Sequence, residues 1–92
     1  MSFELLIQKE AWTEIQLAYD WYEEQKEGLG NDFLAEIEKC YNDLIENPHR
    51  HSYINHLYRR IKTERFPYII IYEIEDERIL ILRVRHVKQK PL

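Results

Sequence analysis

One cysteine, two glycines and three prolines among 92 residues leave few of the usual devices for stapling or bending a small protein. The lone Cys40 excludes an internal disulfide, so stability must come from a packed core, and a reducing cytoplasm is the simplest setting. So little glycine and proline excludes collagen-like and linker-rich architectures. No apolar run comes near the roughly 18 residues that a membrane span needs, and no apolar amino-terminal stretch reads as a signal peptide. A cytoplasmic protein with no membrane partner is therefore expected. There is also no glycine-rich phosphate loop, no pattern of Ser, His and acid, and no carboxylate pair at a strand end for general acid and base work. Nothing here calls for a cofactor.

What is present is a globular composition, 45% hydrophobic and 13% aromatic, too apolar for a disordered chain. The length fits one domain, residues 1–92, with a small core. Charge is unevenly spread. Residues 1–47 carry 12 acids and 3 bases, a balance of -9, and residues 48–92 carry 5 acids and 10 bases, a balance of +5, which together give the net -4. Such asymmetry points to a polarised surface.

The apolar pattern predicts an α+β protein in the order β-α-α-β-β-β. "FELLI" at 3–7 reads as a strand. From Lys9 to about Gln25, Ala11, Ile15, Ala18 and Tyr22 recur at helical spacing, with Trp12, Tyr19 and Trp21 expected to widen the buried face and Glu14, Asp20, Glu23 and Glu24 outside it. Gly28 and Gly30 in "KEGLGND" break the pattern, and Asn31 or Asp32 can cap a second helix running from about Asp32 to Glu46. Phe33, Ile37, Tyr41 and Leu44 share a face there, Cys40 lies on the same stripe as a buried thiol, and Pro48 ends the helix. Period-two and continuous apolar runs then predict three strands at about 57–62, 66–74 and 78–85, with "EDE" at 75–77 as the turn of an antiparallel hairpin. The helical hairpin packs on this four-stranded, largely antiparallel sheet. Phe66, Tyr68, Ile70 and Tyr72 share one face of the middle strand and Ile69 and Ile71 the other, which makes that strand central.

Folding this way gathers Arg59, Arg60, Lys62, Arg83 and Arg85 on neighbouring strands, with Arg65 before the middle strand and His86, Lys88 and Lys90 after the last. Two uses compete for this basic cluster: docking a phosphate-bearing or acidic partner, or pairing within the molecule with the acidic helices, the stretch "YDWYEEQKE" above all. The net negative charge argues against strong nonspecific nucleic-acid binding. "HRHSYINH" carries His49, His51 and His56 but neither Cys nor acid to complete a ligand set, so no metal site is expected.

Taken together, "YDWYEEQKEGLGNDFLAEIE", "LIENP", "YRRIKTERFPYIIIYEI" and "RVRHVKQKP" resemble the RelE/ParE superfamily of bacterial toxins from type II toxin–antitoxin modules, over nearly the whole chain. The resemblance implies a helical hairpin on a four-stranded sheet, a cognate antitoxin as partner, and a role of the kind tied to plasmid stabilization. Members divide into RelE-like enzymes, which cleave messenger RNA in the ribosomal A site, and ParE-like proteins, which inhibit DNA gyrase. In RelE-like enzymes an arginine stands three residues before the tyrosine of the apolar strand, and a second follows the last strand; here those positions are Ile69 and Gln89. Arg60 and Lys62 match the basic pair on the second strand, whereas the carboxy-terminal catalytic tyrosine has no counterpart. Losing such groups commonly costs 100-fold or more in rate. The "FPY" form with apolar Ile69 is therefore more similar to the ParE branch, which implies action by binding and no catalytic residue. The ribosome-dependent ribonuclease and a non-toxic interaction domain remain the alternatives.

Overall fold

A computed structural model describes residues 3–88. Strand β1 (Glu4–Ile7) leads into helix α1 (Lys9–Gln25) and helix α2 (Leu29–Glu46), and three strands follow, β2 (Arg59–Lys62), β3 (Tyr68–Glu75) and β4 (Arg78–His86). The sheet order is β1-β4-β3-β2, antiparallel within the β2-β3-β4 meander and parallel between β1 and β4. The expected α+β order and helical hairpin are therefore present, and β3 is central as its two apolar faces require.

The joint between the helices differs from the sequence reading. Helix α2 begins at Leu29, and neither Asn31 nor Asp32 caps it. Gly28 makes the reversal, at φ 88°, a left-handed conformation open to glycine. Gly30 lies inside the helix, where a Cβ would meet Glu23 Cγ and Tyr19 Cδ2 at 2.7 Å each. In place of a local cap, Glu23 of α1 reaches across and its Oε1 accepts the Gly30 N–H at 2.8 Å. The absent side chain is what lets the two helices close on each other.

Helix α1 buries Ala11, Ile15, Ala18 and Tyr22, and α2 buries Phe33, Ile37, Cys40 and Leu44, against Phe66, Ile70, Tyr72, Ile79, Ile81 and Val84. Burial pushes the Cys40 thiol up to about 11, with Glu36, Asp43 and Glu64 adding to the shift. An aromatic cluster fills the end of the core near the sheet's last residues: Tyr22 lies 4.9 Å from Phe66, and Phe33 lies 5.0 Å from Tyr68, centroid to centroid. Tyr72 is fully buried, yet its hydroxyl donates to the Pro48 carbonyl at 2.6 Å and ties the segment after α2 to the sheet. Trp12 and Trp21, expected on the buried face, are each 57% exposed. A core of this size is filled by the smaller residues of the stripe, and both indoles remain at its margins.

Strand ends shift for local reasons. β2 starts at Arg59 because Asn55 Oδ1 accepts the N–H groups of Leu57 and Tyr58 and holds them in a turn. β3 starts at Tyr68 because Thr63 closes the "TERFP" turn, its hydroxyl donating to Phe66 O and its N–H to Tyr68 O. The hairpin turn holds two residues, not three, since Glu75 already pairs with Arg78, and Asp76 takes φ 57°, which Asp tolerates.

One irregularity sets the chemistry of the sheet. Ile71 pairs with Arg83 and Tyr72 with Ile81, so Leu82 is an extra residue in β4. Strict alternation would put Arg83 and Arg85 on the same face as Ile79 and Ile81, in the core. The bulge reverses the phase, so Ile79, Ile81 and Val84 all point inward, at 0, 0 and 1% exposure.

Candidate functional site

The sheet face turned away from the helices follows from that reversal. Residues paired across strands share a face, so Arg60, Ile71 and Arg83 form one row and Lys62, Ile69 and Arg85 the next. Two aliphatic residues on β3 thus stand between cations on β2 and β4. Strands lie about 4.8 Å apart, which puts the two cationic columns about 10 Å from each other. Arg60 and Lys62 are exposed, and among the described residues no ion pair holds either one.

Arg83 is held from the side. Its Nε and a terminal nitrogen donate to Glu14 Oε1 and Oε2 at 3.0 and 2.7 Å, and Glu14 Oε1 also accepts the Val84 N–H at 2.8 Å. The hydrogen bond to Glu14 raises the guanidinium's affinity for its proton, so it stays charged. Glu14 was expected on the solvent side of α1; instead it is half-buried at the edge of β4. No spacing rule connects positions 14 and 83, so sequence reasoning had no signal for the pair.

The other expected site residues divide. Arg59 points to the opposite side of β2 and is structural: it donates to His49 O at 3.0 Å, His51 O at 2.7 Å and the Tyr53 hydroxyl at 2.8 Å, with its guanidinium 3.9 Å from the Tyr53 ring centroid. Arg65 pairs with Asp32 at 3.2 Å beside α2 and sits over Phe66. His86 is paired with Tyr68, its ring 5.4 Å away, and its Nδ1 accepts the Lys88 N–H at 3.1 Å. Lys88 is exposed in the turn after β4; Gln89 and Lys90 lie outside the described residues. Intramolecular pairing with the acidic helices does occupy part of the basic cluster, through Glu14 of α1 and Asp32 of α2, although neither lies in the stretch "YDWYEEQKE". Of the loop histidines, His51 binds Asp43 at 2.8 Å and His49 packs edge-on to Phe3.

A family model described as the ParE toxin of type II toxin–antitoxin systems, parDE, matches residues 5–91. The chain belongs to this ParE toxin family. Its fold is shared by solved structures of low sequence identity. A chain of the chromosomal ParDE toxin–antitoxin system from P. aeruginosa superposes with a TM-score of 0.81 at 17% identity, covering 91% of this chain and 95% of that one. A chain of the RelBE2 toxin–antitoxin complex from Mycobacterium tuberculosis gives a TM-score of 0.68 at 18% identity, with 94% and 99% covered. A comparison with curated protein sequences finds no match. This ParE-family toxin thus has the fold common to both branches of the superfamily. Where the resemblance expects the RelE-like arginine it has Ile69, half-buried between Lys62 and Arg85. Among the described residues, no helix is long and apolar enough to cross a membrane.

Proposed function

We propose that this toxin acts by occupying a target protein and not by cutting RNA, that the outer sheet face is the surface it uses, and that a cognate antitoxin neutralises it. The observation that carries this reading is Ile69, half-buried at the centre of that face beside the buried Ile71, with Arg60, Lys62, Arg83 and Arg85 on either side. An apolar centre with a polar rim is the anatomy of a protein–protein interface. Cleavage of a phosphodiester instead needs a cation and proton donors converging on one point, and an isoleucine supplies neither. DNA gyrase is the target that the family resemblance implies, and a cytoplasmic setting goes with it.

A supercoiling assay with purified gyrase tests the reading. The parent toxin is expected to inhibit, and Arg60→Ala with Lys62→Ala to need at least about tenfold more protein for the same inhibition, as loss of two interface charges commonly requires. Both side chains are exposed, so folding stability should change by no more than about 0.5 kcal/mol per site. Codon-specific cuts on ribosome-bound message, seen by primer extension and abolished by the same double change, would restore the ribonuclease reading in place of this one.

A further inference from the structure

The outer sheet face is charged differently at its two ends. Along β3 its residues are, in order, Ile69, Ile71, Glu73 and Glu75, and cross-strand pairing extends each into a row. At the cationic end are the two isoleucine rows already described. At the other end Glu75 shares a row with Arg78 and Glu4, and Glu73 shares one with Leu80 and Leu6. That end therefore carries Glu4, Glu73 and Glu75 around Arg78. Next to the acids lies a short aliphatic stretch, Leu6 at 37% exposure beside half-buried Leu80. Both helices pack on the opposite face, and among the described residues no helix covers this one. A uniformly acidic partner answers the cationic end and is repelled by the acidic one. A second copy of the same face answers both.

We infer that two copies of the toxin associate face to face through this sheet, related by a two-fold axis that lies between the sheets and runs across the strands. Such an axis keeps the strand order and reverses the strand direction, so β3 lies over β3 and the first row meets the last. Glu75 of one copy then stands over Ile69 of the other, between Lys62 and Arg85. Glu73 stands over Ile71, between Arg60 and Arg83. Each contact occurs twice, as an isologous interface requires. Sheets packed face to face lie about 10 Å apart with strands aligned to within about 30°, a gap that a glutamate and an arginine reaching from opposite sides can span. The like charges that meet on β4, Arg78 and Arg85, have Glu4 and Glu75 on either side, and Glu75 already holds Arg78 at 3.3 Å. Rows about 6.8 Å apart and strands about 4.8 Å apart make the face roughly 20 Å square. That is the small end of interfaces, so the dimer is reversible and weakens with salt. It covers Arg60 and Lys62, so self-pairing and target binding exclude each other. Only this masking rests on the reading proposed above; the dimer rests on the charge pattern of the face.

The test follows self-association of the toxin alone by sedimentation velocity across the micromolar range, at low and high salt. The parent is expected to dimerise, more weakly as salt rises. Glu73→Lys and Arg60→Glu should each weaken the dimer by at least about tenfold, since each sets like charges against each other. Mixed in equal amounts, the two variants should regain a dimer that neither forms alone, because the reversed charge at 73 then meets the reversed charge at 60 and the native pair remains on the other side of the axis. Glu10→Lys, the same charge change at an exposed position of α1, is the control and should alter association by no more than about threefold. Arg60 is exposed, so its variant stays informative if half-buried Glu73 cannot be replaced without unfolding. A parent that stays monomeric throughout, or a dimer indifferent to both variants, overturns the inference and leaves the proposed target surface intact. Variants that remain monomeric when mixed overturn the two-fold arrangement. In the supercoiling assay, inhibition by the parent should level off as its concentration passes the dimerisation range, and inhibition that keeps rising in proportion overturns the masking. A parent that dimerises as described yet never inhibits gyrase refutes the target and supports the dimer.

Discussion

Gly30→Ala is an unusually clear probe of the helical hairpin because its gains and losses can be weighed separately. In an isolated helix the change would be favourable by up to about 1 kcal/mol, and somewhat less here because Gly30 sits in the first turn of α2. Against that, the new methyl would lie 2.7 Å from Glu23 Cγ and 2.7 and 2.8 Å from Tyr19 Cδ2 and Cε2, where carbon atoms prefer roughly 3.5–4.0 Å. One partner must retreat by about 1 Å, and overpacking of this kind costs about 1–3 kcal/mol. Glu23 cannot yield freely, since its carboxylate accepts the Gly30 N–H, and losing a helix cap costs about 1 kcal/mol more. The balance is a loss of about 2 kcal/mol, or roughly 8–16 °C in Tm for a domain of this size. Thermal unfolding followed by circular dichroism measures it. In a Tyr19→Ala background, where the ring is gone, the same change should cost clearly less, as coupled neighbours require. A Gly30→Ala protein that melts at or above the parent temperature would refute the argument, because it would mean that the helices do not approach as closely as described.

Two further outcomes test the core. Tyr72→Phe leaves the Pro48 carbonyl without its donor and should cost about 1–3 kcal/mol, read as a lower urea midpoint with unchanged slope. Alkaline pH should destabilise the fold early: burial pushes the Cys40 thiol from 9.0 to about 11 and the Tyr72 phenol from 10.0 to about 12, so the unfolded chain releases these protons first. Stability is then full below about pH 9 and falls as pH rises toward 12, by on the order of 3 kcal/mol for the thiol alone. A urea midpoint that stays flat from pH 8 to 10.5 would contradict this, and Cys40→Ala should remove the earlier part of the decline.

Local pattern carried the elements well. Helical spacing located both helices to within three residues, and the apolar faces of "FPYIIIYEI" made β3 central, because period and burial are written in neighbouring residues. Three features depended on contacts distant in sequence and were not legible. Gly30 read as a helix breaker because nothing local reveals that Tyr19 and Glu23 pack against its α carbon. Arg59 read as part of the basic cluster because strand phase alone does not disclose the carbonyls of His49 and His51 behind it. Glu14 read as a solvent-facing acid, although 69 residues later Arg83 claims it. Arg60, Lys62, Arg83 and Arg85 were expected together, and the sheet does place them on one face. What periodicity could not supply was the extra residue at Leu82 on which that placement depends.

That extra residue also bears on how the sheet assembles. A hairpin that closed β3 against β4 without the bulge would remain satisfied in its hydrogen bonds, yet it would turn Arg83 and Arg85 toward the helices and Val84 toward water. Burying even one guanidinium without a partner costs several kcal/mol, comparable with the whole margin by which a small domain stays folded. The two arginines therefore act as proofreaders of strand alignment: the misaligned hairpin can form but cannot be covered by α1 and α2, and it reopens. The same positive charges that give the outer face its chemistry make the wrong sheet unable to acquire a core.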